Sequence, residues 1–251
     1  MKYTLITGAS SGIGRATAFA LAKEGRNLLL VARRKERLEK IQSELKESFN
    51  IDVIIFDTDL EKIENIDNLF RKLNDFDIEI LINNAGFALG RSSIEEYDWD
   101  DFNKMIDVNV RAFTRVAQLA IPFIKKNKGH IVNISSIAGL ESYEGGSVYC
   151  STKAFVKMMS KSMRIDLAGT GVRVTDIAPG AADTEFSLVR FKGNKDAADA
   201  VYKDFIPLYA EDIAETIVFA INRPASVNLD NIVIMPTAQA SATRIHREVK
   251  S

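Results

Sequence analysis

Cysteine, histidine and proline are scarce in these 251 residues, and each scarcity excludes something. The single cysteine, Cys150, cannot close an intrachain disulfide and suits a reducing compartment. Two histidines, His130 and His246, with no other histidine or cysteine at ligand spacing, give no basis for a metal site. No Pro/Gly/Ser-rich stretch divides the chain, so one domain spanning residues 1–251 is expected. No charge of either sign dominates: 33 lysines and arginines against 34 aspartates and glutamates leave a formal charge of -1, so neither nucleic acid nor a lipid surface is called for. No apolar run approaches membrane-spanning length. Met1 leads straight into strand-like Tyr3-Thr4-Leu5-Ile6 rather than into a charged segment and apolar core of a secretion signal. The expectation is a soluble, cytoplasmic protein whose partner is a small molecule.

What the chain does have is alternation. Short runs rich in Ile, Leu and Val alternate with longer segments of helical period, the pattern of βαβ units feeding a parallel sheet covered on both faces. Strands are predicted near Tyr3–Thr7, Asn27–Ala32, Asp52–Asp57, Ile80–Asn83, His130–Ser135, Val172–Ala178 and Asn231–Met235, with helices between them. Leu38, Ile41, Gln42, Leu45 and Phe49 recur at three- and four-residue steps among charges, which reads as a covering helix. Trp99, near Tyr97 and Phe102, reads as a helix-packing aromatic. The fold class expected is α/β.

The first strand runs into Thr7-Gly8-Ala9-Ser10-Ser11-Gly12-Ile13-Gly14, after which a helix begins. Glycines there let the backbone turn sharply and approach a pyrophosphate, and a helix N-terminus offers unpaired N–H groups to its charge. A glycine-rich turn with nothing bound is the alternative. After the second strand the chain continues Val31-Ala32-Arg33-Arg34-Lys35, with no carboxylate for the adenosine ribose. Two guanidiniums, Arg33 and Arg34, suit a 2′-phosphate and therefore NADP, because cations at a helix start are disfavoured unless something offsets them. Asp59 in Asp57-Thr58-Asp59-Leu60 could accept the adenine amino group, or be a solvated turn acid. Asn83-Asn84-Ala85-Gly86 closes the fourth strand with small residues that could lie along a cofactor, or form a turn of Asn side chains.

The stretch Tyr149-Cys150-Ser151-Thr152-Lys153 sets a phenol and an ammonium one helical turn apart on the same face, thirteen positions after Ser136. A tyrosine of pKa ~10 donates a proton at neutral pH but rarely accepts one; lowering it by roughly three units requires about 4 kcal/mol of preferential stabilisation of the anion, which a lysine and an oxidised nicotinamide together could supply in a dry cleft. An (i, i+4) surface pair is the bland alternative.

Taken as an ordered set, Thr7 to Gly14, Asn83 to Gly86, Asn109, Ser136, Tyr149 and Lys153 resemble the short-chain dehydrogenases/reductases over essentially the whole length. Asn84 to Gly90, Thr152 to Val156, Arg173 to Ile177 and Thr184 to Gly193 look like the NADP-dependent 3-hydroxy acid dehydrogenases, which oxidise serine, L-allo-threonine and related acids. The resemblance implies a Rossmann-like, doubly wound sheet of seven parallel strands with NADP across its carboxyl edge. It implies Tyr149 as general acid and base, Lys153 lowering its pKa and holding the nicotinamide ribose, and Ser136 donating to the substrate oxygen. Asn109 would anchor a water linking the lysine to solvent. Cofactor contacts would come from Gly8, Ser10, Ser11, Gly12, Ile13 and Gly14, from Arg33, Arg34, Asp59 and Leu60, and from Asn84, Ala85 and Gly86. Tyr149, Lys153, Pro179, Gly180 and Thr184 would complete that set.

The segment through Phe191 has enough apolar residues to close over a pocket as a substrate lid near 181–208, with Arg190, flanked by Val189 and Phe191, the cation to test for a substrate carboxylate beside Ser136 and Tyr149, a solvated lid face being the alternative. Lys192 reads more readily as a solvated cation. A C-terminal tail at 241–251 could embrace a neighbour, and helices at Ala112 to Phe123 and Val156 to Leu167 would pair across subunits of a homotetramer. Other carbonyl substrates (a sugar, a steroid-like ketone, an acyl thioester) and a non-catalytic NADPH sensor remain the alternatives, the complete Asn109, Ser136, Tyr149, Lys153 set arguing against the sensor.

Overall fold

The computed structural model describes residues 1–248. Strand β1 (Lys2–Thr7) leads to α1 (Gly12–Lys23), β2 (Asn27–Ala32), α2 (Lys35–Ser48), β3 (Val53–Asp57), α3 (Ile63–Lys72) and β4 (Asp77–Asn83). There follow α4 (Trp99–Ile106), a π-helical turn at Asp107–Ala112, α5 (Phe113–Asn127), β5 (His130–Ile134), α6 (Ser147–Asp166) and β6 (Arg173–Pro179). The last part adds β7 (Ala182–Asp183), α7 (Glu185–Arg190), α8 (Lys195–Tyr202), β8 (Leu208–Tyr209), α9 (Ala210–Ile221) and β9 (Asn231–Ile234).

Seven strands form one parallel sheet in the order β3-β2-β1-β4-β5-β6-β9. Its strands are apolar throughout because successive side chains leave on opposite faces and both faces are covered. In β2, Leu29 and Val31 join the core made with α3, α5 and α6, whereas Leu28 and Leu30 join the core made with α1, α2 and α9. Leu5 sits in register between Leu29 and Leu81 on the first face, and Ile6 with Leu30 and Ile82 on the second. The expected α/β sheet is therefore present, strand for strand. Chain order runs from β1 outward to β3, then resumes at β4 on the other side of β1, so the connections after β1 and β4 part company and open a crevice at their carboxyl ends.

Boundaries differ by a few residues: β4 starts earlier, at Asp77, and β6 is displaced by one. The two-residue strands β7 and β8, which pair in parallel, were too short to leave a period in the sequence. Trp99 departs from expectation. It opens α4 with 67% of its surface exposed and stacks on Phe102 at 4.8 Å instead of packing into the body. The tail expected at 241–251 is described as far as Glu248, where Gln239 and Ile245 form an antiparallel bridge, and residues 249–251 lie outside the described residues. Among the described residues no helix is long and apolar enough to cross a membrane.

Candidate active site

At the end of β1, Gly8 takes a left-handed φ of 68°, and a Cβ there would stand 2.7 Å from Asn84 Nδ2. A Cβ on Gly14 would meet Gly8 O at 2.3 Å, so glycine at 14 is what lets α1 start hard against the turn. Ser11 caps α1 without a side-chain bond and no acid lies in the first turn, which leaves the helix's leading N–H groups to an anion. Across the crevice, the amides of Asn84 and Ala85 each donate to Thr7 Oγ1 at 3.0 Å, and Asn84 Nδ2 donates to Thr7 O at 2.9 Å. Asn83 Nδ2 reaches Phe113 O at 3.0 Å. The two asparagines thus do build the turn with their side chains, while the backbone of Asn84 to Gly86 lies along the cavity.

The N-terminal turns of α6 carry Tyr149 and Lys153 to the end of β5, both buried. Lys153 Nζ donates to Ile134 O at 2.8 Å and lies 5.9 Å from the centre of the Tyr149 ring. Ser136, just past β5, accepts from Ala138 N at 3.1 Å and donates to Pro179 O at 3.4 Å. Burial raises the Tyr149 phenol well above its usual range, neighbouring Tyr143 adds to this, and the Ser136 hydroxyl and the Arg190 charge offset it only in part. Burial also lowers the Lys153 ammonium to about 8, against the pull of the Asp176 carboxylate. Among this chain's own groups desolvation outweighs the offsetting contacts, so Tyr149 is raised; the depression expected from the lysine together with an oxidised nicotinamide concerns the cofactor-bound site. Asn109, 1% exposed in the π-helical turn, has its side chain fully engaged. Its Nδ2 donates to Phe87 O at 2.8 Å and Thr152 Oγ1 at 3.1 Å, and its Oδ1 accepts from Phe87 N at 3.0 Å. Thr152 in turn donates to Tyr149 O at 2.8 Å, so Asn109 ties the β4 exit loop to the turn that bears the acid.

Arg190, at the end of α7, is brought to the same end. Its guanidinium lies 5.9 Å from the Tyr149 ring centre and 5.3 Å from that of Tyr143. Nε donates to Gly90 O at 3.1 Å and Nη1 to Tyr143 Oη at 2.8 Å, while Nη2 is buried without a partner. Lys192, by contrast, turns away to Asp101 at 2.7 Å.

At the opposite end, the two arginines after β2 separate. Arg34 donates to Ser10 Oγ through Nε and Nη2 at 3.2 and 3.1 Å, to Ser11 Oγ at 2.7 Å, and to Glu185 Oε2 at 2.8 Å. Arg33 is more exposed and faces Asp59 and Glu61, each at 3.9 Å. Asp59 also caps its own turn, accepting from Glu61 N at 3.2 Å.

One cavity of about 890 Å³ runs between these ends. Its wall includes every residue expected from the sequence except Gly14 and Asn109, which sit behind it as supports. Sequence reasoning passed over Tyr143, Arg37 and Glu185. Tyr143 lies only six residues before Tyr149, between the guanidiniums of Arg91 and Arg190, and its place in a Glu-Ser-Tyr-Glu-Gly-Gly loop was the one available hint. Nothing local could have joined Glu185 to Arg37. The donors fit a phosphorylated dinucleotide: free helix N–H groups midway, arginines and seryl hydroxyls at one end, and a buried acid with an ammonium at the other. Among the described residues no group of three His, Cys, Asp or Glu side chains could hold a metal ion.

Comparison with known proteins agrees with this layout. A family model described as short chain dehydrogenase matches residues 2–194. An NADP-dependent 3-hydroxy acid dehydrogenase of Schizosaccharomyces pombe is 42% identical over 251 residues, covering 98% of this chain and 97% of the relative. Sulfoacetaldehyde reductase 2 of Chromohalobacter salexigens is 42% identical over 252 residues, covering 97% of this chain and 98% of the relative. A closed form of serine dehydrogenase complexed with NADP+ superposes with a TM-score of 0.90 at 36% identity, covering 99% of this chain and all of that one.

Proposed function

The chain belongs to the short-chain dehydrogenase family, and from that premise we propose that it moves a hydride between NADP(H) and the 3-hydroxyl or 3-keto carbon of a small 3-hydroxy acid of the serine, L-allo-threonine or 3-hydroxyisobutyrate type. It is an NADP-dependent oxidoreductase acting on CH–OH groups. The nicotinamide, when bound, supplies or accepts the hydride. Ser10 to Ile13 at the start of α1 would hold the pyrophosphate, Arg33 and Arg34 the 2′-phosphate, and Asp59 and Leu60 the adenine. Asn84 to Gly86 would back the cofactor, Tyr149 and Lys153 would bind the nicotinamide ribose, and Pro179, Gly180 and Thr184 would border its carboxamide.

In the reducing direction Tyr149 gives its phenolic proton to the substrate oxygen; in the oxidising direction it takes that proton back. Ser136 donates to the same oxygen as its charge grows. Lys153 carries the cation that favours the departing phenolate, and Asn109 keeps the supporting loop and helix in register. The observation that carries the acid substrate is Arg190: Nε and Nη1 are committed to Gly90 and Tyr143, and the remaining buried nitrogen is free beside the acid. A buried charged donor without a partner is costly, and a carboxylate would satisfy it. The relatives' names fit an anionic group near the reacting carbon, whether a 3-hydroxy acid, serine or sulfoacetaldehyde. The test is a panel of L-serine, L-allo-threonine, 3-hydroxyisobutyrate, 3-hydroxypropionate and uncharged alcohols, followed by NADPH absorbance. Arg190→Met is expected to cut kcat/KM for the acids by about 10- to 100-fold and to leave the alcohols within about twofold. An equal loss on both classes would remove the clamp.

The same reading treats residues 1–251 as one cytoplasmic domain, with segment 181–208 acting as a lid that excludes water and the 241–251 tail available to a neighbour. A homotetramer is supported by the apolar side chains that α6 leaves outside, Met158 and Ile165, exposed 63% and 74%, whereas α5, expected to pair with it, keeps its large apolar side chains buried or only partly exposed and α9 instead presents Phe219 at 51%. Light scattering on the eluted protein, giving a mass near four chains, is the check.

A further inference from the structure

Glu185, the first residue of α7, lies 151 positions from Arg34 and 148 from Arg37, yet both guanidiniums close on its carboxylate. Oε2 takes Arg34 Nη1 at 2.8 Å and Oε1 takes Arg37 Nη1 at 2.5 Å. Burial pulls the carboxyl upward, but the hydrogen bonds from Arg34 and Arg37 outweigh it and hold the group below the usual carboxylate range, so it is an anion at neutral pH. With Arg34's other donors on Ser10 and Ser11, this carboxylate ties the glycine-rich turn, the start of α2 and the start of α7 into one knot on the cavity wall. All three side chains are more than a third exposed, so the pair adds little to the stability of the fold. Its consequence is that the guanidiniums are already engaged.

A ribose 2′-phosphate carries nearly two negative charges and calls for the same planar donors. We propose that Glu185 is an internal competitor for the 2′-phosphate, a specificity-determining residue that weakens the preference for NADP(H) over NAD(H) and is displaced from Arg34 and Arg37 when the phosphate arrives. Arg37 joins Arg34 in receiving it. The start of α7 is thereby released by the phosphorylated cofactor and held fast in the presence of its unphosphorylated counterpart. The inference rests on the reading of Arg34 as a 2′-phosphate receptor.

Titration calorimetry on the full chain with 2′,5′-ADP and 5′-AMP tests it without turnover. Glu185→Gln is expected to tighten 2′,5′-ADP by about tenfold and to leave 5′-AMP within about twofold. Arg37→Ala is expected to weaken 2′,5′-ADP and spare 5′-AMP. Unchanged or weaker binding of 2′,5′-ADP by Glu185→Gln overturns the competition, because the carboxylate would then be a bystander or a helper. Arg34→Ala separates the two ideas: if it leaves the discrimination between 2′,5′-ADP and 5′-AMP intact, the premise about the phosphate is wrong, whereas a loss there combined with an inert Glu185→Gln condemns the competition alone. Hydrogen exchange supplies an independent reading, with amides of 185–190 exchanging faster on addition of 2′,5′-ADP and not of 5′-AMP; protection by both ligands would contradict displacement.

Discussion

The two ends of the cavity are built on opposite electrostatic plans. At one end the side chains of Arg34, Arg37 and Glu185 are more than a third exposed to water, with both guanidiniums paired to the one carboxylate across long stretches of chain. At the other, Tyr149, Lys153 and Asn109 are at most 6% exposed, and desolvation dominates the two that titrate. Exposed charges exchange partners readily and are screened within about 10 Å at ordinary salt, which suits a site that must bind and release an anion. Buried groups keep their protonation states against the solvent, which suits proton transfer. On the proposed function, recognition and chemistry are separated along one groove, and each is expected to respond to substitution without the other.

The largest expected effect tests the dry end. Tyr149→Phe should lower kcat by about 1,000-fold while the dissociation constant of 2′,5′-ADP stays within about twofold of the parent, as read by single-turnover kinetics and calorimetry. Coupled losses in both would break the separation. Next comes the wet end: Arg34→Ala should raise the KM for NADPH by about 10- to 100-fold and barely alter that for NADH, with Arg33→Ala giving a smaller change because Arg33 leans towards Asp59 and Glu61. Equal effects on the two cofactors would refute the assignment of either arginine.

The smallest effect concerns stability. Lys153 titrates at about 8 in the folded chain against 10.5 unfolded, so between those values the unfolded chain binds more protons and folding gains as pH rises. Below pH 8 keeping the buried amine charged costs about 3 kcal/mol net, and replacing the side chain relieves that while forfeiting the bond to Ile134 O, worth roughly 1 to 2. Lys153→Met should therefore be inactive yet melt about 3 to 6 °C higher at pH 7, and its melting temperature should lack the parent's rise between pH 8 and 10. A lower melting temperature at pH 7 would show that the dry end is not strained by its own charge.

The sheet was legible because parity is local: a run such as Leu28 to Val31 declares that both of its faces are covered before any partner is known. Glycine spacing and the one-turn step from Tyr149 to Lys153 are equally local. What escaped was set by contacts made at a distance. Glu185 meets Arg37 only because α7 folds back over the start of α2, and Tyr143 meets Arg190 only because the loop before α6 and the end of α7 converge. Asn109 was legible as a residue but not as a fastener, since its three bonds go to Phe87 and Thr152. Trp99 was misplaced because aromatic content says nothing about which side of α4 faces out.

Thr7 and Asn84 carry a last consequence. The hydroxyl that accepts from two amides and the carboxamide that donates to a carbonyl form a polar splint between the ends of two strands, spacing them without any help from Arg34, Arg37, Glu185 or Arg190. The width of the slot is therefore a property of the scaffold. Redesign of nucleotide preference at Arg34, Arg37 or Glu185, or of substrate choice at Arg190, can proceed on a frame that does not have to be renegotiated each time.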